Sequence, residues 1–477
     1  MVSLPGPWRW ATGLPKHLDN RIPMGKYADK RILVLGAGAS GVAAAFLAKA
    51  HGASVTLLDS GSPGQEAVDS LREGGICVRT GNDALAVSGR FDLAIYSPGI
   101  PAGSPLDMLA AGCSADRVGE LAFGASFLEC PVLAVTGTNG KTTTVEMLEH
   151  CLRGFGIDAV AAGNIGLPVS RIAAEGHSYE IAVLEVSSFQ LEHPGDFSPM
   201  AAALLNITPD HISRHGSMEG YTAAKLGIFR NPDTICAVNS ATAQIKQVRE
   251  ALLKHARVLE FSSEDSRAPF RVQGGSLVHE RGDGIVELVK TSELPFAGRH
   301  NLSNALAAAA LVHGAGLDER GVMGHLRTFR TGPHRLQKVA CLGGLVFVDD
   351  SKATNVDALI KALDSVGPDG PVALIAGGVD KACTLDEAIP SLRGRVEAAF
   401  LIGSCAERLA ESWRRGTATY LCGSMKEAVF RAADSLRGRG TVLLSPACAS
   451  QDMYRDYAER GDDFAKAALS YIGTVRK

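Results

Sequence analysis

TGTNGKTTT, at residues 136–144, is the stretch that decides how the centre of this chain folds. It follows the apolar run PVLAV and leads into a helical pattern that begins near Lys141. A glycine-rich turn between a strand and a helix lets backbone N–H groups approach an anion, and the helix adds the positive end of its dipole. Lys141 would reach the β- and γ-phosphates of a nucleotide, and the Thr142 hydroxyl would face Mg²⁺. The stretch therefore predicts a phosphate-binding loop.

The match to the usual phosphate loop is partial. The pattern G-x-x-x-x-G-K-[ST] has a glycine six residues before the lysine, where this chain has Val135. We therefore expect a compact variant of the loop. The alternative is an ordinary strand-to-helix turn with an exposed lysine, but the preceding strand and the three threonine hydroxyls favour phosphate binding.

Length and composition indicate a soluble protein of several domains. The 477 residues suggest about three domains, and the net charge of -3 offers no basic surface, so we expect no nucleic-acid partner. The 10 cysteines occur singly, without the spacing of zinc ligands, which is typical of reduced thiols. No apolar run reaches the ~18 residues that span a bilayer, and the opening MVSLPGPWRW lacks the apolar core of a signal peptide. We expect a cytoplasmic protein without membrane insertion.

A second glycine-rich loop lies near the start of the chain. The apolar run 30–35 precedes GAGASG, in which Gly36, Gly38 and Gly41 form a G-x-G-x-x-G, and the next predicted strand ends at Asp59. Alone, this pattern indicates NAD, with the carboxylate on a ribose hydroxyl. The same geometry serves any nucleotide diphosphate at a helix N-terminus, and tight packing of helix on strand would also explain the glycines.

Alternating strands and helices predict three α/β units. The turn 97–99 follows the strand FDLAIY, at the end of a parallel strand where such sheets bind ligands. The middle unit has a mostly parallel sheet, and Gly332-Pro333 marks its boundary with a third doubly wound unit. We place an N-terminal arm at 1–28 and domains at 29–120, 121–331 and 332–477.

Three side chains of the middle unit could complete a metal-dependent phosphoryl site. Glu185 ends the apolar strand IAVLE, where a carboxylate suits Mg²⁺. His211 follows another strand, and Asp210 beside it strengthens an assignment that a lone histidine would not support. Lys225 in YTAAK has a plain alternative, a charge on an exposed helix face.

Polar residues also gather at later helix and strand ends. Asn301 and Asn304 share a helix face and offer paired amides that suit a purine edge, although a cap and a polar face would explain them too. The run DDSKATN, at 349–355, ends a strand with a density of carboxylates, hydroxyls and lysine that is unusual for a solvated loop. Lys381 and Ser450 lie beyond further strand ends of the same predicted sheet.

The ordered motifs resemble a known family. TGTNGKTT, GNIG, LEVSSFQLE, DH, YTAAK, HNLSNALAA, PHR, DDSKATN and SPACAS together look like the signature of the Mur ligases of peptidoglycan synthesis. The likeness covers nearly the whole chain after the arm. It implies a Rossmann-like domain for a uridine nucleotide, a central P-loop ATPase domain and a C-terminal Rossmann-like domain for an amino acid. The first glycine loop is thereby assigned to UDP instead of NAD.

The resemblance also implies residue roles. The implied catalytic residues are Lys141, Glu185, His211 and Lys225. The implied Mg²⁺ ligands are Thr142, Glu185, His211 and Lys225, the last as a carbamate. ATP would contact Gly137, Thr138, Asn139, Gly140, Lys141, Thr142, Thr143, Asn301, Asn304, Arg335 and Asp350. The UDP substrate would contact Gly36, Gly38, Ser40, Gly41, Asp59, Ser97, Pro98, Gly99 and, through its muramoyl-peptide part, Asn164. The amino acid would contact Lys352, Thr354, Lys381, Ser450 and Tyr457.

The implied activity is the ATP-dependent addition of D-glutamate to UDP-N-acetylmuramoyl-L-alanine through an acyl phosphate, by a monomer in the cytoplasm. Other amide ligases of this fold, such as a folylpolyglutamate synthase, are an alternative, although DDSKATN and SPACAS favour glutamate addition. An NAD-dependent oxidoreductase would have no use for Lys141 and the threonine hydroxyls. A nucleotide-switch protein would hydrolyse ATP without forming an amide.

Overall fold

Three sheets, each flanked by helices, make up the protein in a computed structural model that describes residues 25–296, 298–366, 370–379 and 384–475. The predicted α/β class is confirmed, with parallel pairing dominant in every sheet. The sheets occupy residues 31–119, 132–290 and 337–444. These ranges agree with three units, and the exact domain limits stay predictions.

The first sheet has five parallel strands in the order β3-β2-β1-β4-β5. Its strands and helices are β1 Arg31–Leu35, α1 Ala39–Ala50, β2 Ser54–Asp59, α2 Gln65–Glu73, β3 Cys77–Thr80, α3 Asn82–Leu85, β4 Leu93–Tyr96, α4 Pro105–Cys113, β5 Arg117–Gly119 and α5 Glu120–Ala125.

The second sheet has nine strands in the order β14-β13-β12-β11-β10-β9-β6-β8-β7, and its last three strands in sequence form antiparallel pairs. Its strands are β6 Val132–Thr136, β7 Ala159–Gly163, β8 Ile181–Glu185, β9 Ala201–Leu204, β10 Ile235–Asn239, β11 Val258–Ser262, β12 Phe270–Gln273, β13 Ser276–Arg281 and β14 Gly284–Lys290. Its helices are α6 Lys141–Gly154, α7 Val169–Ala174, α8 Ile212–His215, α9 Met218–Leu226, α10 Ser240–Ala243, α11 Lys246–Leu252, α12 Arg299–Gly314 and α13 Glu319–Met323.

The third sheet has six strands in the order β15-β16-β20-β17-β18-β19, of which only the pair β15 and β16 is antiparallel in the described part of the chain. Its elements are β15 Gln337–Leu342, β16 Gly344–Asp349, α14 Val356–Val366, β17 Val372–Gly377, α15 Ile389–Leu392, β18 Val396–Ile402, α16 Ala406–Trp413, β19 Ala418–Leu421, α17 Met425–Ser435, β20 Arg439–Leu444 and α18 Tyr457–Val475.

Burial on both faces explains why the central strands read as continuous apolar runs. Every residue of β6, β8 and β17 is buried, because helices cover both faces of a parallel sheet. The alanine-rich part of α12, residues 305–312, is fully buried, since small side chains let this helix pack closely against the central core. The polar residues of β6 and β8 stand at the last position of each strand, Thr136 and Glu185.

A buried ion network stabilises the far end of α12. Glu319 is 1% exposed and accepts hydrogen bonds from Arg281 at 2.8 Å and from the imidazoles of His279 and His313. Burial alone would raise the pKa of Glu319, but the hydrogen bonds with His279 and His313 hold this pKa below its usual value. The network ties β13 to the end of α12 and to the start of α13.

The longest helix described, α18, has 19 residues and packs against α17. Charged residues interrupt its sequence YAERGDDFAKAALSYIGTV. Across the described ranges, no helix combines the length and the apolar character that a membrane crossing requires.

Candidate active site

A polar cleft of about 540 Å³ lies between the second and third α/β units. The carboxyl ends of parallel strands from both units form its walls, as expected for α/β sheets. It brings together most of the residues predicted for ATP, metal and amino acid, and also Asn164, which was predicted for the muramoyl-peptide part of the UDP substrate. These are Thr138, Asn139, Gly140, Lys141, Thr142, Thr143, Asn164, Glu185, His211, Asn301, Asn304, Arg335, Asp350, Lys352 and Thr354.

The predicted phosphate loop connects β6 to α6. Gly140 has a φ of 86°, in the left-handed region that favours glycine, and a Cβ there would overlap the Asn304 side chain. The Thr138 hydroxyl accepts from the Thr208 N–H at 3.0 Å, which anchors the loop. The Asn139 backbone is held from both sides, because its N–H donates to Asn206 Oδ1 at 2.8 Å and its carbonyl accepts from Asn206 Nδ2 at 3.0 Å. The compact loop is thus rigidly attached to the end of β9.

Two lysines meet at one carbonyl of this loop. Lys141 Nζ donates to the Gly137 carbonyl at 2.9 Å and to the Thr138 carbonyl at 2.8 Å, while Lys225 Nζ donates to the Gly137 carbonyl at 2.7 Å. Lys225 is only 1% exposed, so the alternative of an exposed helix charge is wrong. Burial, and then the charge of Lys141, lower the pKa of Lys225 well below its usual value. The site therefore makes the charged ammonium form of Lys225 less favourable than it is for an exposed lysine.

Glu185 has the features of a metal-binding carboxylate. It is 1% exposed, and its Oε1 accepts from Asn164 Nδ2 at 2.6 Å. Its Oε2 is buried and has no hydrogen-bond partner among the described residues. An unpaired buried carboxylate oxygen is costly unless a cation compensates it. With the Thr142 hydroxyl and His211 in the same cleft, the oxygen-rich donor set fits a divalent cation such as Mg²⁺.

His211 lies in a strained turn beside a buried acid. Its φ is 54°, its N–H donates to Asp210 Oδ1 at 2.9 Å, and its ring lies against Phe189 with centroids 4.8 Å apart. Asp210 is 5% exposed and lines the cleft. The sequence indicated Asp210 only as support for His211, whereas the structure makes it part of the cleft wall.

Two predicted ATP residues belong to the third unit. Arg335 forms an ion pair at 2.6 Å with Glu146 of α6 and so reaches across the cleft. Asp350 accepts from Ser445 Oγ at 3.0 Å and from the Leu336 N–H at 3.2 Å. Burial raises the pKa of Asp350 to about 7.

The predicted amino-acid residues are only partly brought together. Lys352 and Thr354 line the cleft, and Lys352 Nζ lies 3.9 Å from the centroid of the Tyr457 ring. Ser450 is 2% exposed and is not among the residues of the cleft wall. Lys381 lies outside the described residues.

Arg460 supports these loops and was missed by sequence reasoning. This arginine of α18 is 1% exposed and donates to Ser351 Oγ at 3.0 Å, to the Gly377 carbonyl at 3.2 Å and to the Cys448 carbonyl at 3.1 Å. It joins the ends of β16, β17 and β20. A single arginine within a helical pattern carries no signal that would have identified it.

The residues predicted for UDP gather at the first sheet. Gly36 has a φ of 93°, Gly38 precedes α1, Ser40 lies in its first turn, and a Cβ at Gly41 would overlap the Gly36 carbonyl oxygen. The Asp59 carboxylate accepts from the Ala37 N–H at 2.7 Å and from the Gly61 N–H at 2.8 Å.

The turn after β4 joins this loop to the second unit. Ser97 Oγ lies 3.4 Å from the Gly36 carbonyl oxygen. The Pro98 carbonyl, next to Gly99, accepts from Arg214 Nη2 at 3.4 Å. Asn164 lies apart from this set, beside Glu185.

Two family models match the chain. The Mur ligase middle domain matches residues 135–312, and the Mur ligase glutamate ligase domain matches residues 334–448. The UDP-N-acetylmuramoylalanine--D-glutamate ligase of Acidobacterium capsulatum is 37% identical over 453 residues, covering 94% of this chain and 97% of the relative. That of Frankia casuarinae is 40% identical over 456 residues, covering 94% and 95%.

Solved structures share the fold. A pseudomurein peptide ligase type C from Methanothermus fervidus superposes with a TM-score of 0.58 at 18% identity, over 94% of this chain and 100% of that chain. The MurF ligase from Thermotoga maritima, solved in complex with ADP, has a TM-score of 0.57 at 17% identity, over 88% and 95%.

Fold, cleft and comparisons together define an ATP-dependent, amide-forming ligase. The chain belongs to the Mur ligase family.

Proposed function

We propose that this protein adds D-glutamate to UDP-N-acetylmuramoyl-L-alanine at the expense of ATP, as a step of peptidoglycan synthesis. The observation that carries the proposal is one cleft that holds Lys141 and a buried, half-satisfied Glu185 opposite Lys352 and Thr354. The relatives that match nearly the whole chain are named for this reaction. The cleft thus offers a phosphate side and an amino-acid side at a shared reaction centre.

ATP would lie along the phosphate loop. The backbone N–H groups at the start of α6 would face the phosphates, and Lys141 would leave its loop carbonyls to neutralise the transferring phosphoryl group. Asn301 and Asn304 at the first turns of α12 would contact the nucleotide, with Arg335 and Asp350 on the opposite wall.

Thr142, Glu185, His211 and a carbamylated Lys225 would hold Mg²⁺. When bound, Mg²⁺ would neutralise phosphoryl oxygens and lower the barrier for their transfer. The lowered pKa of Lys225 supports carbamylation, because only a neutral amine attacks carbon dioxide. The product would be an anion, which suits a position beside Lys141 and among residues that would hold a cation better than an ammonium group does.

The first chemical step activates the substrate carboxylate. An oxygen of the L-alanyl carboxylate attacks the γ-phosphorus in line, the bond to the ADP oxygen breaks, and an acyl phosphate forms. Lys141 stabilises the charge that spreads over the phosphoryl oxygens.

The second step forms the amide. The neutral amine of D-glutamate attacks the acyl carbon, and the tetrahedral species collapses with release of phosphate. Lys352 and Thr354 would bind the glutamate carboxylates, with Lys381, Ser450 and Tyr457 completing the amino-acid site. A closed cleft would protect the acyl phosphate from water.

The UDP end of the substrate would bind at the first sheet, where α1 presents its N-terminus behind Gly36 and Gly38. Asn164 would contact the muramoyl-peptide part near Glu185. We further propose that the enzyme acts as a cytoplasmic monomer without nucleic-acid or membrane partners.

Phosphate release from ATP and Mg²⁺ tests this function. The assay contains UDP-N-acetylmuramoyl-L-alanine and compares D-glutamate, L-glutamate and no amino acid, with mass analysis of the product. We expect release that depends on D-glutamate and a product heavier by one glutamyl residue. Preference for L-glutamate would contradict the assigned stereochemistry. Phosphate release that is the same with either glutamate and without amino acid would indicate a nucleotide hydrolase and contradict the ligase.

A further inference from the structure

We propose that Asn355 is a positioning residue that latches the third unit onto the phosphate loop, so that the acyl phosphate passes to the amine instead of to water. The inference rests on the proposed function and concerns a residue to which no role has been assigned above. It is the last residue of DDSKATN, is 3% exposed and directly precedes α14.

The amide of Asn355 makes contacts in two directions. Its Oδ1 accepts from the Ala358 N–H at 2.9 Å, which caps α14. Its Nδ2 donates to Asn139 Oδ1 at 3.0 Å and to Asp210 Oδ2 at 3.3 Å, both in the second unit. The first contact is a local cap, whereas the other two exist only when the units lie together.

The contact with the phosphate loop is reciprocal. Asn139 Nδ2 donates back to Asn355 Oδ1 at 3.2 Å and to Asp357 Oδ2 at 2.5 Å. Asp357 in turn pairs with Lys361 at 2.6 Å. Asn139 of the loop and Asn355, Asp357 and Lys361 of the third unit thus form one hydrogen-bonded network in which each donor has an acceptor. A small shift of α14 would break several of these hydrogen bonds at once.

The partners in the second unit are themselves fixed. Asn206 holds the Asn139 backbone on both sides, and the Asp210 carboxylate accepts from the His211 N–H. Because Asn139 and Asp210 are held in place by their own neighbours, their hydrogen bonds with Asn355 fix the position of the third unit relative to the second. Thr354 is the neighbouring residue, so the latch also sets the amino-acid side of the cleft against Lys141.

If Asn355 only caps α14, a residue that caps equally well should replace it without loss of activity. If it also holds the two units together, such a replacement should impair the reaction. Ser and Asp cap helices about as well as Asn. Asn355→Ser is too short to reach Asn139, and Asn355→Asp loses the donor and places a carboxylate against Asp210. The cap of α14 survives in both variants, so Asn355→Ser should keep a thermal stability near that of wild type while the latch breaks. Asn355→Asp should break the latch more strongly and lower the thermal stability, because its carboxylate faces the buried Asp210. Asn239→Ser is the matched control, because Asn239 caps α10 and its contacts stay within the second unit.

The experiment measures phosphate released per amide formed, in the full-length enzyme with ATP, Mg²⁺, UDP-N-acetylmuramoyl-L-alanine and D-glutamate. We expect about one in wild type and in Asn239→Ser. In both Asn355 variants we expect amide formation to fall by roughly tenfold to a hundredfold, as for misplaced reacting groups, with a ratio well above one. A ratio of one in both variants would overturn the latch, whether or not the rate of amide formation falls.

X-ray scattering tests the latch independently of the reaction. With a non-hydrolysable ATP analogue and Mg²⁺, the Asn355 variants should have a larger radius of gyration than wild type and Asn239→Ser, because the third unit is released. Equal radii would overturn the latch. If wild type forms no D-glutamyl amide, the proposed function fails, while the scattering comparison still decides on the latch.

Discussion

The two glycine loops of this protein have the same topology but different side chains around them. Each connects a parallel strand to a helix, β1 to α1 in the first unit and β6 to α6 in the second. In the first loop, the Asp59 carboxylate accepts a hydrogen bond from the Ala37 N–H, and the glycines permit close packing against Ser97. In the second loop, Lys141 and Lys225 converge on one carbonyl close to the buried Glu185.

The difference shows what glycines alone can indicate. Backbone freedom at both loops permits close approach of a ligand. Within the described part of the chain, the second loop has Lys141, Lys225 and Glu185 beside it, charged groups that suit the stabilisation of a transferring phosphoryl group. The first loop is thus suited to binding a nucleotide end, and the second to chemistry. Variants that alter charge or packing test this contrast.

The largest effect is expected for Lys141→Ala. Since Lys141 would neutralise the phosphoryl oxygens, turnover should fall by roughly 10³-fold or more, with an unchanged circular dichroism spectrum. Lys246→Ala, which removes an exposed lysine on α11, is the control and should retain full activity. Retained turnover in Lys141→Ala would contradict the inference that the second loop, unlike the first, takes part in the chemistry.

Lys225→Ala should lose activity by roughly 10²-fold through weakened metal binding. If the lysine acts as a carbamate, small carboxylates such as acetate should partly restore turnover, since they replace the missing anion. Rates measured with and without acetate check this, and Lys141→Ala should not respond. Activity like that of wild type would refute the carbamate.

Gly41→Ala tests the packing of the first loop. The added Cβ would overlap the Gly36 carbonyl oxygen, so we expect a loss of about 1–3 kcal/mol of unfolding free energy. At Gly38 a Cβ meets nothing within 4 Å, so Gly38→Ala should be stable and should raise only the KM for the UDP substrate. Denaturant unfolding and kinetics measure the two effects. Equal stability of both variants would show that packing does not require a glycine at Gly41.

Asp59→Asn should have the smallest effect. The amide can accept only one of the two N–H groups that the carboxylate now accepts, which should cost about 1 kcal/mol of unfolding free energy. Thermal unfolding checks the stability, and phosphate release checks that the chemistry at the second loop is intact. If Asp59→Asn lost phosphate release even at saturating substrate, the first loop would affect the chemistry and not only the binding of the UDP end.

The α/β class and the family were predictable because their signals are local. The sequence singled out Glu185, His211, Lys352 and Thr354 because polar residues follow strand ends, where α/β sheets bind ligands. That they line one cleft is a finding of the structure, which places the strand ends of the second and third sheets around the same cleft. The antiparallel strands β12 to β14 were not anticipated individually. The site roles themselves remain predictions.

Other features depend on distant parts of the chain. The sequence left Lys225 between an exposed helix charge and a catalytic group, and only packing under the phosphate loop made it buried and its charged ammonium form less favourable. Asn139 and Asn355 are 216 residues apart, so their pairing leaves no local pattern. Arg460 likewise gains its partners only when three strand ends meet.

By itself, the sequence determined the glycine turns, the buried strands and the order of the motifs, because these follow from backbone freedom and from the spacing of apolar residues along the chain. The tertiary structure alone decided which charges are buried together and which amides join the second and third units. Desolvation and hydrogen bonding depend on distances of a few ångströms in space, and residues far apart in the chain set those distances.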